Sequence, residues 1–274
     1  MSKISKTKNV SINKFKVVLI YFFIFSTLNA QESPYELSWK KDLTLYGIGF
    51  TGKISTNILK NNQDELTDEE IGLLNASDVN RFDRKTIGYY SIRYQDYSDV
   101  IQYGSYALPI LFLLDKKGRK DFLKIGVLAG EVYLINSTIT QLTKLSTLRT
   151  RPLAYNPNVT LEDRKKGSSK LSFFSGHTSN VSALSFFSAK VFNDYYPGSK
   201  WKPVVWSAAA ILPAATGYFR VKGGKHFPTD AIIGYAVGAI IGVGIPHIHR
   251  KKKDPKVGMS ISVGPQSVGF SMRW

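Results

Sequence analysis

From residue 100 onward, apolar positions gather into five stretches: 100–114, 122–142, 181–192, 204–219 and 231–248. They predict helices packed up and down as a bundle. Upstream, residues 42–59 carry apolar side chains at mixed spacing and predict one more helix. Residues 60–96 are polar, with an acidic run from Asp64 to Glu70. That run lacks the glycine and ligand spacing of a calcium loop, so it reads as a solvated helix start. Near the end the period changes to two. Met259, Ile261 and Val263 alternate, as do Val268, Phe270, Met272 and Trp274, around Gly264-Pro265-Gln266. This predicts a short β-hairpin. The fold class expected is all-α, a helical bundle with a C-terminal hairpin.

The N-terminus follows another pattern. Lys3, Lys6, Lys8, Lys14 and Lys16 precede an apolar run over residues 17–25, and Leu28-Asn29-Ala30 offers a cleavage site. The run is shorter than the roughly 20 residues of a membrane span. Residues 1–30 therefore read as an export signal, with an uncleaved anchor as the alternative. The remainder divides into a peripheral helical segment (31–96), a catalytic bundle (97–249) and a basic tail with the hairpin (250–274).

Charge adds an orientation. Basic turns at residues 115–120, 200–202 and 250–253 fall at one end of the bundle, away from the residues that carry chemistry. Basic residues collect on the cytoplasmic side of membrane bundles, so the other end is expected to face the periplasm from the inner membrane. Glu131, Asn136 and many serines weaken several spans, which keeps a soluble periplasmic bundle as the alternative. The formal net charge is +17 and there is no cysteine. Disulfides and thiolate metal sites are excluded. A basic exported chain suits anionic headgroups or phosphate esters. No nucleic-acid-binding module is recognisable, and the oligomeric state is not legible.

Three short elements carry candidate chemistry. In the first, Lys144 is followed after six residues by Arg151-Pro152. Arg151 can grip two phosphate oxygens, Lys144 adds a point charge, and Pro152 favours an extended Arg151. The second is Ser175-Gly176-His177, at the border where an apolar helix should begin. Gly176 admits a close ligand, and the free N–H groups of a helix start attract an anion. The Ser175 hydroxyl offers a further donor, and His177 is placed to protonate a leaving oxygen. In the third, Arg220 is followed by His226 and, four residues on, Asp230. That spacing puts His226 and Asp230 on one face if a single helix contains both. A carboxylate on one ring nitrogen leaves the other free to attack. Gly223-Gly224 permits a turn that returns Arg220 towards His226. The remaining histidines, His247 and His249, are a metal pair by type. Beside the basic run at 250–253 they read instead as a polar helix end.

In this order and spacing the three elements closely resemble the type-2 phosphatidic acid phosphatase superfamily, which also contains bacterial acid phosphatases and vanadium haloperoxidases. The resemblance covers residues 97–248. Phe174 stands where the family has proline, and Phe219 where it has serine. The resemblance implies a metal- and cofactor-free double displacement. His226 would be the nucleophile, Asp230 its orienting partner and His177 the general acid and then base. Lys144, Arg151, Ser175, Gly176 and Arg220 would hold the phosphate. The implied function is a cell-envelope phosphatase acting on a lipid phosphate or pyrophosphate. A soluble acid phosphatase is the alternative. A non-catalytic phospholipid-binding protein or a haloperoxidase ranks lower.

Overall fold

The computed structural model describes residues 33–251, 258–264 and 267–273. The expected export signal, residues 1–30, lies outside the described residues. The protein is an all-α bundle. Its long helices are α1 (Trp39–Asn61), α2 (Ile92–Ser105), α3 (Phe122–Thr147), α4 (Gly176–Tyr195), α5 (Lys202–Lys222) and α6 (Pro228–Ile248). Gly258–Gly264 (β1) and Ser267–Arg273 (β2) pair antiparallel, with Met259 opposite Met272 and Ile261 opposite Phe270.

Helix α4 is the central post and packs against α2, α3, α5 and α6. Its closest neighbour is α6, and small residues explain why. A Cβ on Gly234, Gly238 or Gly242 would lie 2.6, 2.3 or 2.2 Å from the carbonyl oxygens of Ser175, Ser179 and Ala183. A glycine every fourth residue lays one face of α6 directly on the α4 backbone, as in close-packed membrane helices. Apolar packing concentrates at the other end of these helices. There Ile125, Leu128 and Val132 of α3 meet Phe187 and Val191 of α4 and Ile245 of α6.

Two expectations change. The apolar stretch 100–114 is not one helix. α2 stops at Ser105, and Leu108–Leu114 continues as a 3₁₀ run with Pro109 near its start. Proline lacks the N–H that an uninterrupted α-helix would use there. Within residues 31–96, expected to be peripheral, α1 lies lengthwise on α3. Its Gly49 and Gly52 face Leu134 and Thr138, and the Thr138 hydroxyl donates to the Gly49 carbonyl at 2.9 Å. The acidic run does start a helix. Thr67 and Glu70 exchange side-chain and backbone hydrogen bonds of 2.7 and 3.1 Å, a capping box for Asp68–Leu73.

The bundle is polar inside and apolar outside. Ser179 donates to Asn136, which donates to Asn180, both at 2.7 Å. Ser182 and Ser185 reach backbone carbonyls of α6 and α5. These buried polar groups therefore have their partners. Meanwhile Leu123, Val204, Ile211, Ile232 and Ile240 are exposed. Helix α5, helix α6 and the run Phe122–Tyr155 that contains α3 are each long and apolar enough to cross a membrane. Apolar exteriors over paired polar interiors suit lipid as the surrounding solvent.

Candidate active site

The three sequence elements meet at one end of the bundle because each lies where a long helix begins or ends. Lys144 is in the last turn of α3. Leu148 then takes a left-handed conformation (φ 43°), which turns the chain sharply out of the helix. Arg151 follows in extended conformation (φ −75°, ψ 154°), with Pro152 opening the helical turn Pro152–Tyr155. Ser175 caps α4, its hydroxyl oxygen facing the Thr178 N–H. Arg220 ends α5. Gly224 has φ 72°, where a side chain is strained, and a Cβ there would sit 2.3 Å from the Tyr89 carbonyl oxygen. That turn brings the chain back to His226, just before α6.

Lys144, Arg151, Gly176, His177, Arg220 and His226 line a single cavity of about 290 Å³. Lys144, Arg220 and His226 are almost wholly buried. The Lys144 ammonium donates to the Leu171 carbonyl at 2.7 Å. The Nε of Arg151 and the Nε of Arg220 have no hydrogen-bond partner, nor has Nδ1 of His226. Unpaired buried donors are costly, so this end of the bundle is built to receive an acceptor-rich anion. Burial, then the charges of Lys144, Arg151 and Arg220, hold the His226 imidazole well below its ordinary pKa. It stands neutral, with a lone pair available. Lys60 also lines the cavity, and Lys225 stands nearby. Burial, followed by Arg151 and Arg220, brings its ammonium down to about 8.

Two predicted residues sit differently. Ser175 is fully buried, its hydroxyl 2.9 Å from the Thr178 hydroxyl, and it does not line the cavity. Asp230 is also buried, but its Oδ2 lies 3.6 Å from His226 Nδ1, beyond a hydrogen bond. The reason is local. α6 begins at Pro228, so His226 is outside the helix and the one-face spacing argument does not apply. Asp230 Oδ2 instead accepts from the Ser172 hydroxyl at 2.6 Å and the Phe227 N–H at 2.9 Å.

Several residues of the site were not singled out by sequence. Arg149 donates to Asp230 at 2.6 Å, Asp83 at 2.7 Å and Thr229 at 2.9 Å, and its guanidinium lies over the Phe227 ring. Burial would raise the Asp83 pKa. Hydrogen bonds from Thr229, Arg149 and Asn80 outweigh it and hold the carboxyl below the usual range. Asp99 of α2 accepts from Arg220 at 3.4 Å and lies 2.8 Å from Nε2 of His177. Its spacing from the motifs, 78 residues before His177, gives no signal. Arg149 had a weak one, two residues before Arg151 in a short connection. Phe219, which replaces the expected serine, stacks on Tyr94 at 5.8 Å and meets Tyr97 edge-on.

The pattern of the PAP2 superfamily matches residues 125–254. A lipid A 4'-phosphatase of Porphyromonas gingivalis is 31% identical over 173 residues, 60% of this chain and 68% of the relative. A transmembrane PAP2-type phosphatidylglycerolphosphate phosphatase of Bacillus subtilis aligns in structure over 77% of this chain and 96% of its own. Its identity is 18% and its TM-score 0.45.

Proposed function

This chain belongs to the PAP2 superfamily, and from that premise we propose that it is a membrane phosphatase that removes a phosphate monoester from a lipid headgroup. The observation that carries this reading is the cavity itself. Three cations converge there beside a neutral buried imidazole, at one end of helices apolar enough to cross a membrane.

In the proposed reaction a lone pair on His226 attacks phosphorus and the ester P–O bond breaks. Burial and the charges of Arg220, Arg151 and Lys144 depress the His177 pKa; the bound phosphate offsets those cations, and the proton His177 then carries goes to the departing alkoxide. Lys144, Arg151 and Arg220 carry the charge on the phosphoryl oxygens. Gly176 leaves room for the phosphate against the start of α4. Phosphorylation makes the His226 ring cationic, and Asp230 is near enough to favour that charge. His177, now neutral, takes a proton from water as its oxygen attacks phosphorus. The N–P bond breaks, inorganic phosphate leaves and both histidines are restored. Ser175 acts through the start of α4 rather than by touching the phosphate.

The remaining lining points to a polar headgroup. Thr140 Oγ1 and the side-chain carbonyls of Gln102 and Gln141 are buried without partners in the same cavity. A phosphorylated sugar supplies hydroxyl and amide groups to pair with them. With the relative named above, this makes phosphorylated lipid A the first substrate to test. The catalytic end is proposed to face the periplasm, the basic turns at 115–120 and 250–251 the cytoplasm.

The test is phosphate release by the detergent-solubilised protein from lipid A 4'-phosphate, phosphatidylglycerol phosphate, phosphatidate and polyprenyl pyrophosphate. Turnover of at least one, with acid-labile phosphoenzyme trapped on quenching, is the expected result. Activity on none of them, but on soluble monoesters, would favour the acid phosphatase reading. No activity with either would overturn the proposal.

A further inference from the structure

The end of the bundle opposite the catalytic cavity holds a second buried histidine. The sequence placed His247 and His249 together on a polar helix end, but the two part company. His247 is exposed and His249 is fully buried. His249 Nδ1 lies 2.8 Å from the Ile245 carbonyl oxygen. A carbonyl only accepts, so Nδ1 bears a proton. Nε2 points between two carboxylates, with Asp42 Oδ1 at 2.8 Å and Glu131 Oε2 at 3.4 Å, and since these too only accept, a second proton or a cation must lie on it. All three ligand-type atoms lie within 4.8 Å of one another.

Glu131 makes the cluster more than an ion pair. Its side chain is fully buried in α3, and neither carboxylate oxygen has a hydrogen-bond partner. The nearest lysine, Lys41, spends its ammonium on the Ile248 carbonyl at 2.7 Å. One added proton on His249 would satisfy Asp42, and Glu131 would then need a proton of its own to avoid an uncompensated buried charge. A divalent cation bound by a neutral imidazole and two carboxylates makes the whole cluster neutral.

We propose that Asp42, Glu131 and His249 form a divalent transition-metal site, with zinc the ion the donor set fits. One nitrogen and two carboxylate oxygens are zinc ligands, whereas calcium and magnesium favour all-oxygen sets. Tetrahedral bonds near 2.1 Å put ligand atoms about 3.4 Å apart. The His249–Glu131 separation of 3.4 Å matches, and His249 and Asp42 move apart by about 0.6 Å to admit the ion. The Nδ1 hydrogen bond to a backbone carbonyl is the outer contact that orients metal-binding histidines. Three protein ligands leave a fourth position for water.

The site lies far from the chemistry. Glu131 is thirteen residues before Lys144 on α3, about 20 Å at 1.5 Å per residue. Its three ligands come from the start of α1, the middle of α3 and the end of α6. Two strand-like hydrogen bonds already hold this corner together, Glu36 N–H to His249 carbonyl and Lys251 N–H to Pro34 carbonyl, both 3.0 Å. The metal fastens the same segments from inside, a structural role.

The test uses the full-length protein in detergent, purified on a tag without histidine and equilibrated with zinc(II). After dialysis, bound zinc is measured by mass spectrometry, and Tm with and without a strong chelator. About one zinc per chain is expected, with a lower Tm on chelation. Glu131→Gln and His249→Ala should each weaken zinc binding by at least about 100-fold and lose the chelator response. His247→Ala should keep both. If the buried variants do not fold, Asp42→Asn at the more open edge reports the same loss. Cobalt(II) bound to the wild type should give the absorption of a tetrahedral site. No stoichiometric metal in the wild type would overturn the proposal, as would retention of zinc by the Asp42 and His249 variants.

Discussion

Two histidines, each buried to within 1% of full enclosure, stand at opposite ends of one bundle and face opposite surroundings. His226 looks into a cavity of cations, with its Nδ1 unpaired. His249 is pinned through Nδ1 and turns Nε2 on two carboxylates. Burial favours the neutral ring at His226. The neighbours decide what each ring then does. Among cations, in the proposed reaction, its lone pair attacks phosphorus. Between carboxylates it is one ligand of a cation-binding space. The same residue type thus marks an anion site at one end and a cation site at the other.

The sharpest way to break this contrast is His226→Ala. Turnover should fall by at least about 1,000-fold, with no trapped phosphoenzyme, while zinc content stays at the wild-type level. Rates like the wild type would remove His226 from the reaction. Next is Arg149→Met, which strips Asp230 and Asp83 of their shared cation. We expect kcat to drop about 100-fold with KM changed by less than about threefold, and Arg149→Lys to recover only part of it. A pure KM effect would mean that Arg149 binds substrate rather than positioning Asp230.

His177→Ala should separate substrates by leaving group. The loss is expected to be about 100-fold on an alkyl phosphate and under about tenfold on a nitrophenyl phosphate, whose leaving group needs little protonation. Equal losses on both would count against the acid role.

The pH profile tests the cationic surroundings directly. His226 must be neutral to attack, and its folded pKa is depressed by burial and by Lys144, Arg151 and Arg220. Neutral His226 therefore persists below pH 6.5 and is lost only as pH falls through the depressed value. The acid limb of kcat/KM, corrected for ionisation of the substrate phosphate, should lie below about 6.5, the free imidazole value. Arg220→Met should move it upward. A limb at or above 6.5 in the wild type would contradict the electrostatic picture.

The smallest effect tests the scaffold common to both ends. Gly238→Val pushes a side chain into the Ser179 carbonyl on α4. It should destabilise the bundle by about 1–3 kcal/mol, read as a lower Tm, with kcat largely kept in the folded fraction.

The sequence by itself determined a good deal. Long apolar runs specified helices, because only a helix satisfies its own backbone across an apolar surrounding. Chemical groups at the borders of those runs had to meet at helix ends, and Lys144, Arg151, His177, Arg220 and His226 do line one cavity. Ser175 was legible as a helix start, because a hydroxyl before a glycine and an apolar run is a local signal. What tertiary structure decided is everything that depends on which helices touch. α6 starts at Pro228, after His226, so Asp230 stays 3.6 Å from the His226 ring and accepts its hydrogen bonds from Arg149 and Ser172. Asp83 and Asp99 come from segments with no pattern of their own and enter the site only because their elements pack there. Asp42, Glu131 and His249 are scattered over 207 residues and share no motif. Propensity and periodicity act over a few turns of chain, whereas the charge around a buried group is set by neighbours that only packing brings near.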